Sequence, residues 1–196
     1  CEVWDVDGNK YLDFGGSYCA TNQGHNHPKI AEAVIDQIKK CCLPSRAFTH
    51  ELFAGYVEYV CKVFGFEKCL PLNGGSEAIE FAIKLSRAWG YTKKGIEPSK
   101  AKVMFAANNY HGRTLAAIVL ESIQGEAGIY VPEKGYLSAV KRLCEQYNIL
   151  YIADEIQVGA GRTGKLLSYQ HDGIQPDVLV VAKSISGGFY PTSLVL

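Results

Sequence analysis

The sequence predicts an α/β fold: a mostly parallel sheet covered by helices, preceded by a small N-terminal α+β segment. Three observations predict it. From residue 68 onward, apolar runs of strand length alternate with stretches of helical periodicity, the pattern of βαβ units. Two late runs, Ile149-Leu150-Tyr151-Ile152-Ala153 and Val178-Leu179-Val180-Val181-Ala182, are continuously apolar, as strands buried on both faces are. Before residue 51 the pattern differs, opening on two short strands around an Asp-Gly turn.

Each element follows from local chemistry. Val3-Trp4-Asp5-Val6 and Lys10-Tyr11-Leu12-Asp13-Phe14 flank Asp7-Gly8-Asn9 and form a hairpin. Pro28 starts a helix whose apolar positions Ile30, Ala33, Val34 and Ile38 recur at helical spacing. A second helix covers 51–64, with Leu52, Tyr56, Tyr59, Val60 and Val63 on one face. A strand over 68–72 leads through Asn73-Gly74-Gly75 into a helix over 76–89. Strands over 102–106 and 118–121, a helix over 136–147 and the two buried strands complete the order.

Composition narrows the function. Twenty basic and twenty acidic side chains cancel, and no basic block points to nucleic acid or an anionic membrane. No apolar run approaches a membrane span. Seven cysteines occur without paired C-x-x-C spacing, which fits reduced thiols and an intracellular setting, with neither a disulfide framework nor a zinc site. The chain opens on Cys1 within a strand pattern, so any targeting segment is expected to lie outside the sequence given.

The chemistry gathers at strand ends. One buried run ends in Asp154-Glu155-Ile156-Gln157, the next in Lys183-Ser184-Ile185-Ser186-Gly187-Gly188. Taken alone, Lys183 reads as a solvated strand-edge cap. Paired with Asp154, it reads as a pyridoxal 5'-phosphate site, where a lysine forms the Schiff base and a carboxylate keeps the pyridine nitrogen protonated. Between a strand and a helix, Asn73-Gly74-Gly75-Ser76-Glu77 suits a phosphate: the glycines allow close approach, and the helix amides and Ser76 hydroxyl bind it. The same residues also fit an ordinary helix start capped by Ser76. Asn108-Asn109-Tyr110-His111-Gly112-Arg113 offers an aromatic ring to stack on a flat cofactor and an arginine to clamp a carboxylate, or else a polar surface loop. His25 and His27 lack neighbouring carboxylate or cysteine ligands, and a turn before Pro28 explains them better than a metal does.

These motifs resemble those of class III, fold type I aminotransferases. The matching stretches are Asn22-Gln23-Gly24-His25-Asn26-His27-Pro28, Ser45-Arg46-Ala47-Phe48, Arg87-Ala88-Trp89-Gly90-Tyr91 and Gly112-Arg113-Thr114-Leu115. Further on they are Ile123-Gln124-Gly125-Glu126-Ala127-Gly128, Ala153-Asp154-Glu155-Ile156-Gln157 and Lys183 through Pro191. The Asn-Gln-Gly-His, Ser-Arg-Ala-Phe and Trp-Gly-Tyr elements are similar to the ornithine branch in particular. The resemblance implies a PLP-transferase fold with 1–50 as an N-terminal segment (part of a small domain plus an active-site loop) and 51–196 as a partial large cofactor-binding domain. It implies Lys183 and Asp154 as catalytic. Gly74, Gly75, Ser76, Tyr110 and Gln157 join them in holding pyridoxal phosphate, while Tyr18, Arg113, Glu126 and Thr49 contact substrate. It further implies a homodimer, in the mitochondrial matrix or cytoplasm, passing the δ-amino group of ornithine to 2-oxoglutarate and yielding glutamate 5-semialdehyde and glutamate.

The chain also departs from the family pattern. Gly112 to Ile118 passes almost directly into Val119-Leu120-Glu121, where relatives carry a few tens of further residues, so a gap is expected near 117–119 and the chain is expected to be incomplete. Thr49 stands where the ornithine branch has an aromatic residue, which keeps 4-aminobutyrate and acetylornithine open as donors and a non-catalytic truncated relative open as a class. Ser122 replaces the usual proline, and Gly74 a threonine.

Overall fold

The computed structural model describes residues 1–41, 47–104, 106, 109–110 and 120–196. Its centre is a pair of buried parallel strands. β5 (Ile152–Asp154) and β6 (Val178–Val181) align Ile152 with Val178 and Asp154 with Val180. β4 (Leu120–Glu121) extends the parallel run and sets Glu121 opposite Asp154. On the other side β7 (Ser193–Val195) lies antiparallel to β6, and β3 (Leu70–Leu72) antiparallel to β7, giving the order β3-β7-β6-β5-β4. The described sheet is therefore mixed, with its parallel part at β4-β5-β6. The short stretch that makes β7, after Tyr190-Pro191-Thr192, offers too few residues for a period to be read.

Alternation along the strands sends side chains into two cores. Val178 and Val180 of β6, with Ile152 and Val195, pack under α4 (Gly75–Thr92) against Ala78, Ile79, Ala82 and Ile83. Leu179 and Val181, with Ala153 and Leu194, face the opposite side, where Val60 of α3 (Glu51–Phe64) and Cys144 of α5 (Tyr136–Gln146) close over them. Burial on both faces explains why these strands carry no polar alternation. α3 ends at Gly65, whose left-handed φ of 77° lets its amide reach the Cys61 carbonyl at 2.9 Å.

The N-terminal part pairs separately. β1 (Glu2–Trp4) and β2 (Lys10–Leu12) form an antiparallel hairpin with Val3 opposite Tyr11. The Asp5 carboxylate accepts the amides of Asp7 and Asn9, which closes the turn. A short turn, α1 (Gly16–Cys19), holds Ser17 and Tyr18 at left-handed dihedrals. It is followed by α2 (Pro28–Lys40), which begins on its proline and has no buried residue.

One expected element differs. The strand over 102–106 is not formed at its described positions, 102–104 and 106. Val103 instead packs against the α4-side core. An apolar side chain can be buried there without the hydrogen-bonded partner that a strand requires.

Leu179 is fully buried between two strands and two helices. Leu179→Ala should lower stability by about 2–5 kcal/mol, seen as a lower denaturant midpoint with an unchanged slope. A loss below about 1 kcal/mol would contradict a core centred on β6.

Candidate active site

The site forms where the parallel strands end. Ile152 faces α4, so Asp154, two residues on, faces the same way and reaches the start of that helix. Asp154 is 3% exposed, and its Oδ1 accepts the Ile156 amide at 3.0 Å. Beyond β6 the chain turns at Ala182 into a 3-10 turn, Lys183–Ser186. Lys183 itself sits at φ 51°, in the left-handed region. A non-glycine residue held there costs about 1–3 kcal/mol, and such strain gathers at functional positions.

The glycine turn between β3 and α4 comes up beside them. The amides of Asn73 and Gly74 both donate to Glu77 Oε2, at 3.2 and 3.3 Å, so the helix's own carboxylate satisfies that end of the turn. The two glycines have different reasons. A Cβ on Gly74 would meet nothing within 4 Å, whereas one on Gly75 would lie 3.1 Å from Ile156 Cδ1 and 3.3 Å from its Cγ2. Gly75 thus lets the first turn of α4 close onto the loop that follows Asp154. Ser193 Oγ secures the turn from β7 by donating to the Gly74 carbonyl at 2.9 Å.

These parts enclose one cavity of about 440 Å³, within the range of small-molecule sites. Gly74, Gly75 and Ser76 line it, as do Asp154, Gln157 and Lys183, with Tyr110 at a more exposed position. The structure thus brings together all the residues expected to hold the cofactor. A glycine-backed helix start, a buried carboxylate and an amine on one cavity are the donor set a pyridine ring bearing an aldehyde and a phosphate requires.

The residues expected to contact substrate are placed differently. Tyr18 is 77% exposed and off the cavity, although Ser17, Ala20 and Thr21 of the same segment line it. Thr49 is exposed and also off the cavity. Glu126 does not line the cavity, but its Oε1 accepts from Nε2 of the lining residue Gln157 at 3.3 Å. Arg113 lies outside the described residues. His25 Nε2 lies 2.7 Å from Asp13 Oδ2, and Asp13 Oδ1 also accepts the Gly15 and Gly16 amides. The Gly16 amide first, then His25, hold the Asp13 carboxyl below the usual carboxylate range. This clasp fixes the segment whose Thr21 meets Gly188.

Sequence reasoning missed two buried carboxylates. Glu121 lines the cavity, accepting the Tyr110 amide at 3.2 Å and the Gly125 amide at 3.0 Å. Its signal was present, since it closes an apolar run just as Asp154 does. Glu155 is 1% exposed and accepts from Ser122, Ser168 and Tyr169. Burial pushes its carboxyl above the ordinary range, opposed mainly by the Ser168 hydroxyl.

The model of the class-III aminotransferases matches residues 1–116 and 114–196, which is the whole chain in two overlapping stretches. The chain belongs to that family. Among its relatives, the mitochondrial ornithine aminotransferase of Drosophila melanogaster is 44% identical over 236 residues, covering 99% of this chain and 55% of the relative. The probable mitochondrial ornithine aminotransferase of Caenorhabditis elegans is 43% identical over 238 residues, against the 196 present here. Among solved structures, ornithine aminotransferase from Toxoplasma gondii ME49 superposes with a TM-score of 0.95 at 35% identity, covering all of this chain and 56% of that one. Acetylornithine aminotransferase from Elizabethkingia anophelis superposes at 0.92 with 43% identity, covering all of this chain and 58% of that one. The chain thus has the class III, fold type I architecture and spans a little over half the length of these relatives.

The two glycines give a direct test. Gly75→Val should cost about 1–3 kcal/mol, because Ile156 must move. Gly74→Ala should stay within about 0.5 kcal/mol of the parent. Thermal melts of both variants check this, and a harmless valine at 75 would contradict the close packing of α4 on the 154–157 turn.

Proposed function

We propose that this chain supplies the cofactor-binding part of a pyridoxal-phosphate-dependent aminotransferase that moves the δ-amino group of ornithine to 2-oxoglutarate. The observation that carries the proposal is the delivery of Asp154 and Lys183 by adjacent parallel strands to one cavity, beside the glycine start of α4. A second Toxoplasma gondii ornithine aminotransferase structure, 35% identical with a TM-score of 0.96, covers all of this chain and 56% of its own length. It is described with partial occupancy of PLP at its active site.

Bound there, pyridoxal phosphate would withdraw electrons from the substrate carbon that bears the amine. The protein's own groups would do the rest. Gly75, Ser76 and the start of α4 would face the phosphate with backbone amides and positive dipole. Asp154, held by the Ile156 amide, would keep a proton on the ring nitrogen. It acts by fixed charge and exchanges no proton of its own. Tyr110 would cover one ring face, and Gln157 would hydrogen-bond the ring edge while Glu126 orients it. Lys183 Nζ would hold the cofactor and is the basic group placed to move a proton at the carbon that bears the amine. Glu126 and Arg113 would sort the cationic donor from the dianionic acceptor.

The donor has a second candidate, acetylornithine, because an acetylornithine aminotransferase matches the chain at the same level of identity as the ornithine enzymes. We further propose a homodimer, which the exposed Leu52, Phe53 and Tyr59 of α3 and the exposed Trp4, Leu12 and Phe14 support. The relatives named as mitochondrial support an intracellular setting, with the matrix and the cytoplasm as its two candidates.

Visible absorbance of the protein with pyridoxal phosphate tests the proposal. The lysine-bound cofactor band should appear in the parent, be absent in Lys183→Ala, and bleach on adding L-ornithine alone. Bleaching only with N-acetylornithine would transfer the activity to that donor. A folded parent with no band would overturn the proposal.

A further inference from the structure

Glu155 faces away from the cavity between two residues that line it. Asp154 precedes it and Gln157 follows two positions later. Its carboxyl nevertheless accepts four hydrogen bonds. Oε1 accepts from Ser168 Oγ at 2.6 Å, the Tyr169 amide at 3.0 Å and Ser122 Oγ at 3.2 Å, and Oε2 accepts the Ser168 amide at 2.9 Å. Its amide donates to the Val180 carbonyl of β6 at 2.9 Å. Through its side chain and backbone together, Glu155 ties its own turn to the end of β4, to β6 and to the 3-10 turn Ser168–Asp172.

The turn is also tight around it. The Gly159 amide donates to the Glu155 carbonyl at 3.0 Å, and a Cβ on Gly159 would lie 2.7 Å from that oxygen and 2.9 Å from Glu155 Cβ. The loop therefore closes directly on Glu155. Because Asp154 precedes and Gln157 follows residue 155, a backbone rotation at 155 would change the orientation of one relative to the other. All four groups that Glu155 accepts from are donors, so a carboxyl with two acceptor oxygens matches them and a carboxamide does not.

We propose that Glu155 is a positioning residue. Tied down by Ser122, Ser168 and Tyr169 on the far side of the sheet, it sets the orientation of the Asp154–Gln157 turn toward the bound cofactor. This deepens the functional reading above and rests on it for the identity of the ligand. The four bonds leave the carboxyl no second rotamer that keeps its partners, and the turn inherits that fixity.

Two variants and two readouts test it. Glu155→Gln turns an N–H toward at least one donor, and Ser122→Ala removes one donor while leaving the carboxyl in place. Pyridoxal phosphate titrations should show roughly tenfold weaker binding for Glu155→Gln and a smaller loss, about two- to fivefold, for Ser122→Ala. In the cofactor-free protein, amide hydrogen exchange over residues 156–159 should rise in the same order. Parent-like affinity and exchange in folded variants would overturn the proposal. So would a lower melting temperature with unchanged affinity, since that marks a role in stability alone. Should Glu155→Gln fail to fold, Ser122→Ala decides by the same readouts. A parent that takes up no cofactor would sink the functional reading instead, and the exchange measurement would still judge the turn.

Discussion

The structure depends on one constraint: β5 and β6 pair in parallel with Asp154 opposite Val180. Parallel strands present their carboxyl ends at the same edge of a sheet, so residues that terminate neighbouring strands become neighbours in space. Asp154 and Lys183 are separated by 28 intervening residues in sequence, yet they line one cavity because of that pairing. A register slip of one residue would invert every side chain of β6, placing Val178 and Val180 where Leu179 and Val181 now pack. Two filled cores, one on each face, resist such a slip. The hydrophobic effect thus fixes the site's polar geometry indirectly, through the register of strands that contain no polar residue between Val178 and Val181.

The layer above the sheet completes the site through a close approach. α4 is amphipathic and anchored by Ala78, Ile79, Ala82 and Ile83, so its first turn is carried down onto the loop after β5. Small alanines bring the helix near, and Gly75 removes the last obstacle at Ile156. At the opposite face Glu155 introduces a buried carboxyl, a group that costs stability unless its hydrogen bonds are made. Four donors meet it, and the same contacts join β4, the 3-10 turn at Ser168 and the strand end that bears Asp154. The cavity therefore has a helix terminus on one side and a fully bonded carboxyl beneath its floor.

Much of this was legible in the residues. Continuous apolar runs announced β5 and β6, the Asp-Gly turn announced the hairpin, and Pro28 and the periodic apolar positions announced α2 and α3. The lysine and aspartate at the strand ends announced the cavity. What was not legible depended on three-dimensional neighbours. β7 is too short to show a period, and Val103 finds burial without strand pairing. Tyr18 shares a segment with cavity residues but points elsewhere, because left-handed dihedrals at Ser17 and Tyr18 redirect the chain. Glu155 is adjacent to a functional residue in sequence, and its partners Ser122, Ser168 and Tyr169 come from segments that only the fold brings together. Family likeness supplies roles for Thr49 and Glu126. The structure leaves Thr49 off the cavity and brings Glu126 within hydrogen-bond reach of Gln157.

The central claim is that the parallel pair delivers Lys183, the one lysine lining the ligand cavity among the described residues. Borohydride reduction of the pyridoxal-phosphate-loaded protein, followed by peptide mapping in a mass spectrometer, tests it most directly. The account predicts a single pyridoxyl adduct on the peptide containing Lys183, lost when Asp154-side packing is disrupted by Gly75→Val. An adduct on another lysine, or modification spread evenly over surface lysines with Lys183 untouched, would contradict it.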